Sequence, residues 1–222
     1  MADFMAASER QRRSIVRGCK YPPIARIVQH DEAKATVSKF IREGEKNTAK
    51  LTEKAAELRN RMADSDFDRD VLDHNADYID KFAEVFPQLD LPTAELLPPG
   101  KSTPIILHGV KVTNDIRLRL RRLTRTNKVR IGGLALRYAK GKLLPKEVAS
   151  WQSAFMFGYL QKTSTELEAE PESQLCLTID AAGGVAHSAP GDSISRFSDM
   201  GAACATISEW WPNITPPNDA VL

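Results

Sequence analysis

No apolar stretch of this 222-residue chain is long enough to cross a membrane or to form a signal-peptide core; the opening MADFMAASERQRRSIVRG and every later apolar cluster are interrupted by charge within a few residues. A cytoplasmic protein without a membrane partner is the expectation. Cysteine is scarce too: Cys19, Cys176 and Cys204 are odd in number, far apart and without CxxC spacing, which excludes a disulfide framework and a zinc knuckle and fits a reducing compartment. Net charge is nearly missing, at +2, so any attraction to a charged partner depends on how charge is distributed along the chain. Two catalytic signatures are absent or broken. The GKST at Gly100 to Thr103 has Glu95 where a phosphate-binding loop needs its upstream glycine, and Asp180, His187 and Ser188 occur without a GxSxG elbow. No internal repeat is present.

What is there divides into a helical front and a mixed back. With 42% hydrophobic residues the chain can bury one substantial core and carry an accessory region. Arg10 to His30 holds six bases and no acid, and the paired prolines Pro22 and Pro23 place the first helix after Pro23 or near His30. Helical spacing of apolar residues runs from Lys34 to Ile41 and from Leu51 to Met62, broken around Gly44 and Asn47. The next helix carries Val71, Asn75, Tyr78, Phe82 and Val85 on one stripe and acids on the other, with ten acids against two bases between Asp64 and Glu95. That acidic face is a solvated surface, a partner-binding arm or a mimic of DNA. LPTAELLPPGKSTP then reads as a linker, which divides the chain into a helical arm (1–97), a core (105–212) and a loose tail (213–222).

Beyond the linker the periodicity becomes alternating. IILHGVKVTNDIRLRLRRL predicts a strand, a turn at His108 and Gly109, and a second strand with Ile116, Leu118 and Leu120 facing one way and Arg117, Arg119 and Arg121 the other. VRIGGLALRYA predicts a third strand, weakened at Gly132 and Gly133. A helix follows with Val148, Trp151, Phe155 and Tyr159 on a stripe, then a polar loop TSTELEAEPES, a strand from Gln174 with a glycine turn, and a last helix ending at Pro212. The fold class is α/β (α+β): a helical N-terminal arm packed on a small mixed sheet flanked by helices.

Val112 to Lys142 holds ten bases and one acid, Asp115. Arg117, Arg119, Arg121, Arg122, Arg125, Lys128 and Arg130 can supply phosphate contacts on one sheet face and its hairpin, each worth a log-log salt slope of about −0.9 on duplex DNA. Two other readings stand beside that one: a charged edge strand that resists aggregation, and a surface paired with the chain's own acidic helix, which would make the arm a lid.

The order of elements, Asp115 at the start of a strand, and Gln152 and Tyr159 on the helix after the third strand together resemble the PD-(D/E)XK nuclease superfamily, in its exonuclease-like branch, over about Ile105 to Trp211. The resemblance implies a core of α, β, β, β, α, β order and Mg²⁺ or Mn²⁺ held by carboxylates, with Asp115 as the first metal-binding acid. The chain departs from the pattern on the third strand. GGLALRYAK places Ala135 where the second acid belongs and Arg137 where the lysine belongs, and an arginine cannot replace a lysine in proton transfer. A moved site would use Asp115, Glu147 and His30 as metal ligands, with Arg137, Gln152 and Tyr159 assisting. In ordinary structural roles Asp115 caps a turn or pairs with a neighbouring arginine, Glu147 sits in the first turn of a helix where the macrodipole favours an acid, and His30 opens a helix. The expectation is a nucleic-acid-binding protein, with DNA ahead of RNA, whose phosphodiesterase activity is weak or lost. The alternatives are an inhibitor or accessory factor of a DNA-processing or defence complex, and an active metal-dependent nuclease.

Overall fold

A computed structural model describes residues 1–22, 30–166 and 168–217. Among them lie seven α-helices and a mixed five-stranded sheet, the α/β class expected. Two short helices that the sequence reading did not anticipate come first, α1 (Ala2–Ala6) and α2 (Glu9–Lys20). The prolines end α2 rather than exclude helix from the region: Tyr21, the residue before Pro22, is already out of helical geometry at φ −127°, as the proline ring requires of its predecessor. At the other end of α2, the Gln11 Oε1 accepts the Ser8 N–H and satisfies a donor left over from the first turn.

The expected helical pair is α3 (Asp31–Arg42) and α4 (Ala49–Asn60), and the acidic helix is α5 (Asp66–Val85), started by Ser65, whose Oγ accepts the Asp68 N–H. Asn75, on the buried stripe of α5, caps its neighbour: its Oδ1 accepts the Ala33 N–H at 2.9 Å, fixing the start of α3 against α5. This one hydrogen bond sets where His30 and Lys34 stand.

The sheet runs in the order β1 (Glu95–Leu97), β4 (Leu118–Leu123), β5 (Val129–Arg137), β6 (Glu170–Asp180), β7 (Val185–Ser188). Pairing is antiparallel from β1 to β5, parallel between β5 and β6 across the crossover helix α6 (Lys146–Thr163), and antiparallel again at β7. β2 (Ile105–Leu107) and β3 (Val110–Val112) form a separate hairpin, turned at His108 and Gly109, both at positive φ. The second strand expected from the sequence is thus split in two, with Thr113 to Arg117 as the joint between β3 and β4. The segment read as a linker contributes β1, and the polar loop read up to Ser173 is already strand β6 from Glu170.

Helices cover both faces. Leu118, Leu120, Leu134, Leu136, Leu177 and Ile179 pack against α3, α4 and α5 on one side; Ile131, Ala135 and Cys176 pack against α6 and α7 (Ser193–Trp210) on the other. α1 lies against α6, on the face opposite α3 to α5, so the first 97 residues do not form one arm. The Gly132–Gly133 pair, read as a weakness, carries a register shift between β5 and β6, where a Cβ on Gly132 would fall 2.1 Å from the Leu175 carbonyl oxygen.

Candidate functional site

Asp115 lies three residues before β4, at the joint where the sheet meets α3. Lys34, one turn into α3, donates to Asp115 Oδ2 at 2.9 Å, and Arg117 Nη2 divides itself between Asp115 Oδ2 at 3.1 Å and Asp31 Oδ1 at 2.9 Å. Burial works to raise the Asp115 carboxyl, but the hydrogen bonds and charges of Lys34 and Arg117 outweigh it and hold the pKa below the ordinary carboxylate value. Beside this cluster the rings of Tyr78 and Tyr138 stack at 4.4 Å, and His30 stands edge-on to both at 5.5 Å. The Tyr78 hydroxyl and His30 Nδ1 are buried and have no hydrogen-bond partner among the described residues. Burial, with the nearby charges of His74 and Lys34, lowers the His30 pKa, and burial raises that of Tyr78.

The structure does not gather the residues proposed for a metal. Glu147, in the first turn of α6, accepts from Arg196 of α7 at 3.0 Å and shares no partner with Asp115. Arg137 is held by both carboxylate oxygens of Asp3 in α1, at 2.7 and 3.1 Å. Ala135, at the position of the missing acid, is buried under α6. Gln152 sits half-buried on α6, its Oε1 without a hydrogen-bond partner among the described residues. Among the described residues no group of three or more His, Cys, Asp or Glu side chains is placed to hold an ion. Asp115, already neutralised by two cations, does not fit a Mg²⁺ or Mn²⁺ ligand set, whose carboxylates face the ion rather than ammonium and guanidinium groups.

The basic residues part company. Arg121 pairs with Glu166 and Glu95, Arg122 with Glu172, Arg130 with Glu170, and Arg117 with Asp31 and Asp115. The acids of α5 are engaged elsewhere: Asp73 with Arg69, Asp77 and Asp80 with Arg59, and Asp77 also with Lys140. This overturns the lid reading, because the partners of the arginines come from the sheet and its loops, apart from Asp31 of α3. Arg125 and Lys128 are exposed in the β4–β5 turn. Arg119 is the arginine of β4 and β5 without a carboxylate partner among the described residues; its Nε donates to the Pro98 carbonyl, which leaves its two Nη groups for other acceptors.

Arg119 opens into a cleft of about 350 Å³ between β4 and the end of α6. Lys101, Asn114, Arg121, Tyr159 and Glu166 also line it. Tyr159 builds the wall: its hydroxyl accepts the Thr103 N–H at 3.1 Å and donates to the Thr103 carbonyl at 2.7 Å, tying the loop before β2 to α6. Asn114 is 6% exposed and its Nδ2 has no hydrogen-bond partner among the described residues. Sequence reasoning picked out Arg119, Arg121 and Tyr159 but missed Lys101, Asn114 and Glu166, and at the joint it missed Lys34, Tyr78 and Tyr138. The only sequence signal for Lys34 is its spacing of four from His30 on a helix; Lys101 stood out only within the broken GKST loop, and Asn114 and Glu166 leave no signal.

No family model, curated protein or solved structure matches the chain. No helix among the described residues is long and apolar enough to cross a membrane.

Proposed function

We propose that the chain is a nucleic-acid-binding protein on a PD-(D/E)XK-like core whose hydrolytic site has been dismantled. Support for the core comes from the run α5, β1, β4, β5, α6, β6, with an antiparallel meander followed by a parallel crossover. Three charged residues that would do the chemistry have another occupation: Asp115 neutralises Lys34 and Arg117, Glu147 binds Arg196, and Arg137 binds Asp3. The observation that carries binding is Arg119, a strand guanidinium with both Nη groups uncommitted, set with Lys101 and Arg121 around a cleft that contains one carboxylate, Glu166. Guanidinium groups in such a setting favour phosphate oxygens.

The accessory-factor reading is weakened by the internal pairing of Asp73, Asp77 and Asp80, since an acidic face already neutralised has less charge to offer a basic partner. The test is fluorescence anisotropy with labelled oligonucleotides, alongside incubation with Mg²⁺ or Mn²⁺. Wild type binds in a salt-sensitive manner and cuts nothing, and Arg119→Glu with Arg121→Glu weakens binding at least tenfold. Equal binding by the double variant overturns the interface, and metal-dependent cutting that Asp115→Ala abolishes overturns the loss of hydrolysis.

A further inference from the structure

We propose that the cleft between β4 and the C-terminal end of α6 receives the phosphate and sugar of a single nucleotide, from a free nucleotide or from one strand, and excludes duplex. This rests on the nucleic-acid reading above and adds a strand preference to it. Size is the first ground. About 350 Å³ is at the small end of ligand pockets, enough for one phosphorylated sugar and too small to admit a base pair with both its backbones. The lining is the second. Arg119 and Lys101 carry the positive charge, and Arg121 shares its own with Glu166. Ser102, Thr103, Thr163, Ser164 and Thr165 line it with hydroxyls; those of Ser102 and Thr163 already donate to the Asn114 and Tyr159 carbonyls and remain acceptors, and the other three can donate and accept, as a sugar requires.

Asn114 is the third and most specific ground. A buried amide donor left without an acceptor costs roughly 1–3 kcal/mol, and Asn114 Nδ2 is such a donor in the wall of a cleft otherwise equipped for anions. Because that nitrogen is itself closed to solvent, the amide turns toward the cleft when it takes a phosphate or sugar oxygen as its acceptor. One feature opposes the anion, the carbonyl end of α6, with the partial negative charge of a helix C-terminus. That charge and Glu166 favour a ligand that presents hydroxyl groups beside its phosphate over bare inorganic phosphate.

The experiment measures anisotropy of a labelled 12-nucleotide single strand and its matched duplex, with a mononucleotide and inorganic phosphate as competitors. The single strand binds at least tenfold tighter than the duplex, the mononucleotide displaces it, inorganic phosphate displaces it less well at equal concentration, and Arg119→Ala lowers single-strand affinity about tenfold without changing the melting temperature by more than a few degrees. Lys101→Ala, at an exposed position, gives the same direction should Arg119→Ala fold poorly. Equal binding of duplex and single strand, or single-strand binding that the mononucleotide cannot displace, overturns the inference and leaves nucleic-acid binding standing. Failure of every oligonucleotide to bind overturns both.

Discussion

Replacing Asp115 by Asn keeps the shape of the side chain and removes its charge, which separates a structural clamp from a catalytic acid. The Asp115 side chain is 47% exposed, so its attraction to each cation is screened, and pairs of this kind contribute about 0.2–1 kcal/mol each. The two cations are better covered, at 23% for Lys34 and 21% for Arg117, so leaving them without the carboxylate costs more than the pairs alone suggest. Asp31 still holds Arg117, which limits the loss. A destabilisation of about 1.5 kcal/mol results, and in a chain of this size that lowers the melting temperature by roughly 3–6 °C. The effect depends on pH in a defined sense. Because the folded pKa of Asp115 lies below its unfolded value, its contribution is complete above the unfolded value of about 3.9 and disappears as pH falls through the folded one. Calorimetry of both proteins therefore shows a gap at pH 7 that closes under strongly acidic conditions. An acid held in a metal-binding cluster behaves in the opposite way, since neutralising it relieves repulsion. A variant that melts at or above the wild-type temperature at pH 7, or a wild-type midpoint that Mn²⁺ raises while the variant's stays put, refutes the clamp.

Tyr159→Phe removes both hydrogen bonds to Thr103 and costs about 1–2 kcal/mol, with faster amide hydrogen exchange at Thr103; unchanged protection there contradicts the anchoring role of the hydroxyl. Gly158→Ala would place a Cβ 2.2 Å from the Phe197 ring at the α6–α7 crossing, so overpacking destabilises by about 1–3 kcal/mol, read as a lowered melting temperature; an unchanged midpoint means the helices do not cross there. His30, whose pKa is lowered mainly by burial, titrates in the folded protein below 6.5; the unfolded chain takes up the proton first, so its effect on stability is a loss as pH drops below about 6.5. An imidazole midpoint at or above 6.5 by NMR contradicts its burial against the edges of the two tyrosines.

Periodicity made the large features legible. The stripes on α5 and α6 and the alternation of Leu118 and Leu120 with the arginines name the buried faces correctly, because each depends only on residues a turn or a pleat apart. Prolines misled twice: Pro22 and Pro23 follow a helix instead of forbidding one, and LPTAELLPPG contains β1, since a three-residue edge strand needs few donors and tolerates proline beside it. The local neighbour of Asp115, Arg117, was legible as a candidate partner. Lys34 was not, since it stands 81 positions before Asp115 on a helix that docks on α5 through Asn75. The arginines looked like one surface because sequence shows the pitch of a strand but not which glutamates lie opposite it; Glu166, Glu170 and Glu172 come from beyond α6.

Single-strand affinity as a function of salt, for wild type and Arg119→Glu, is the most direct trial of the account. The one phosphate seated among Lys101, Arg119 and Arg121 contributes about −0.7 to the log-log slope of wild type on a single strand, and the variant binds more weakly with a slope shallower by about that amount. Identical affinity and slope for the two proteins would contradict it.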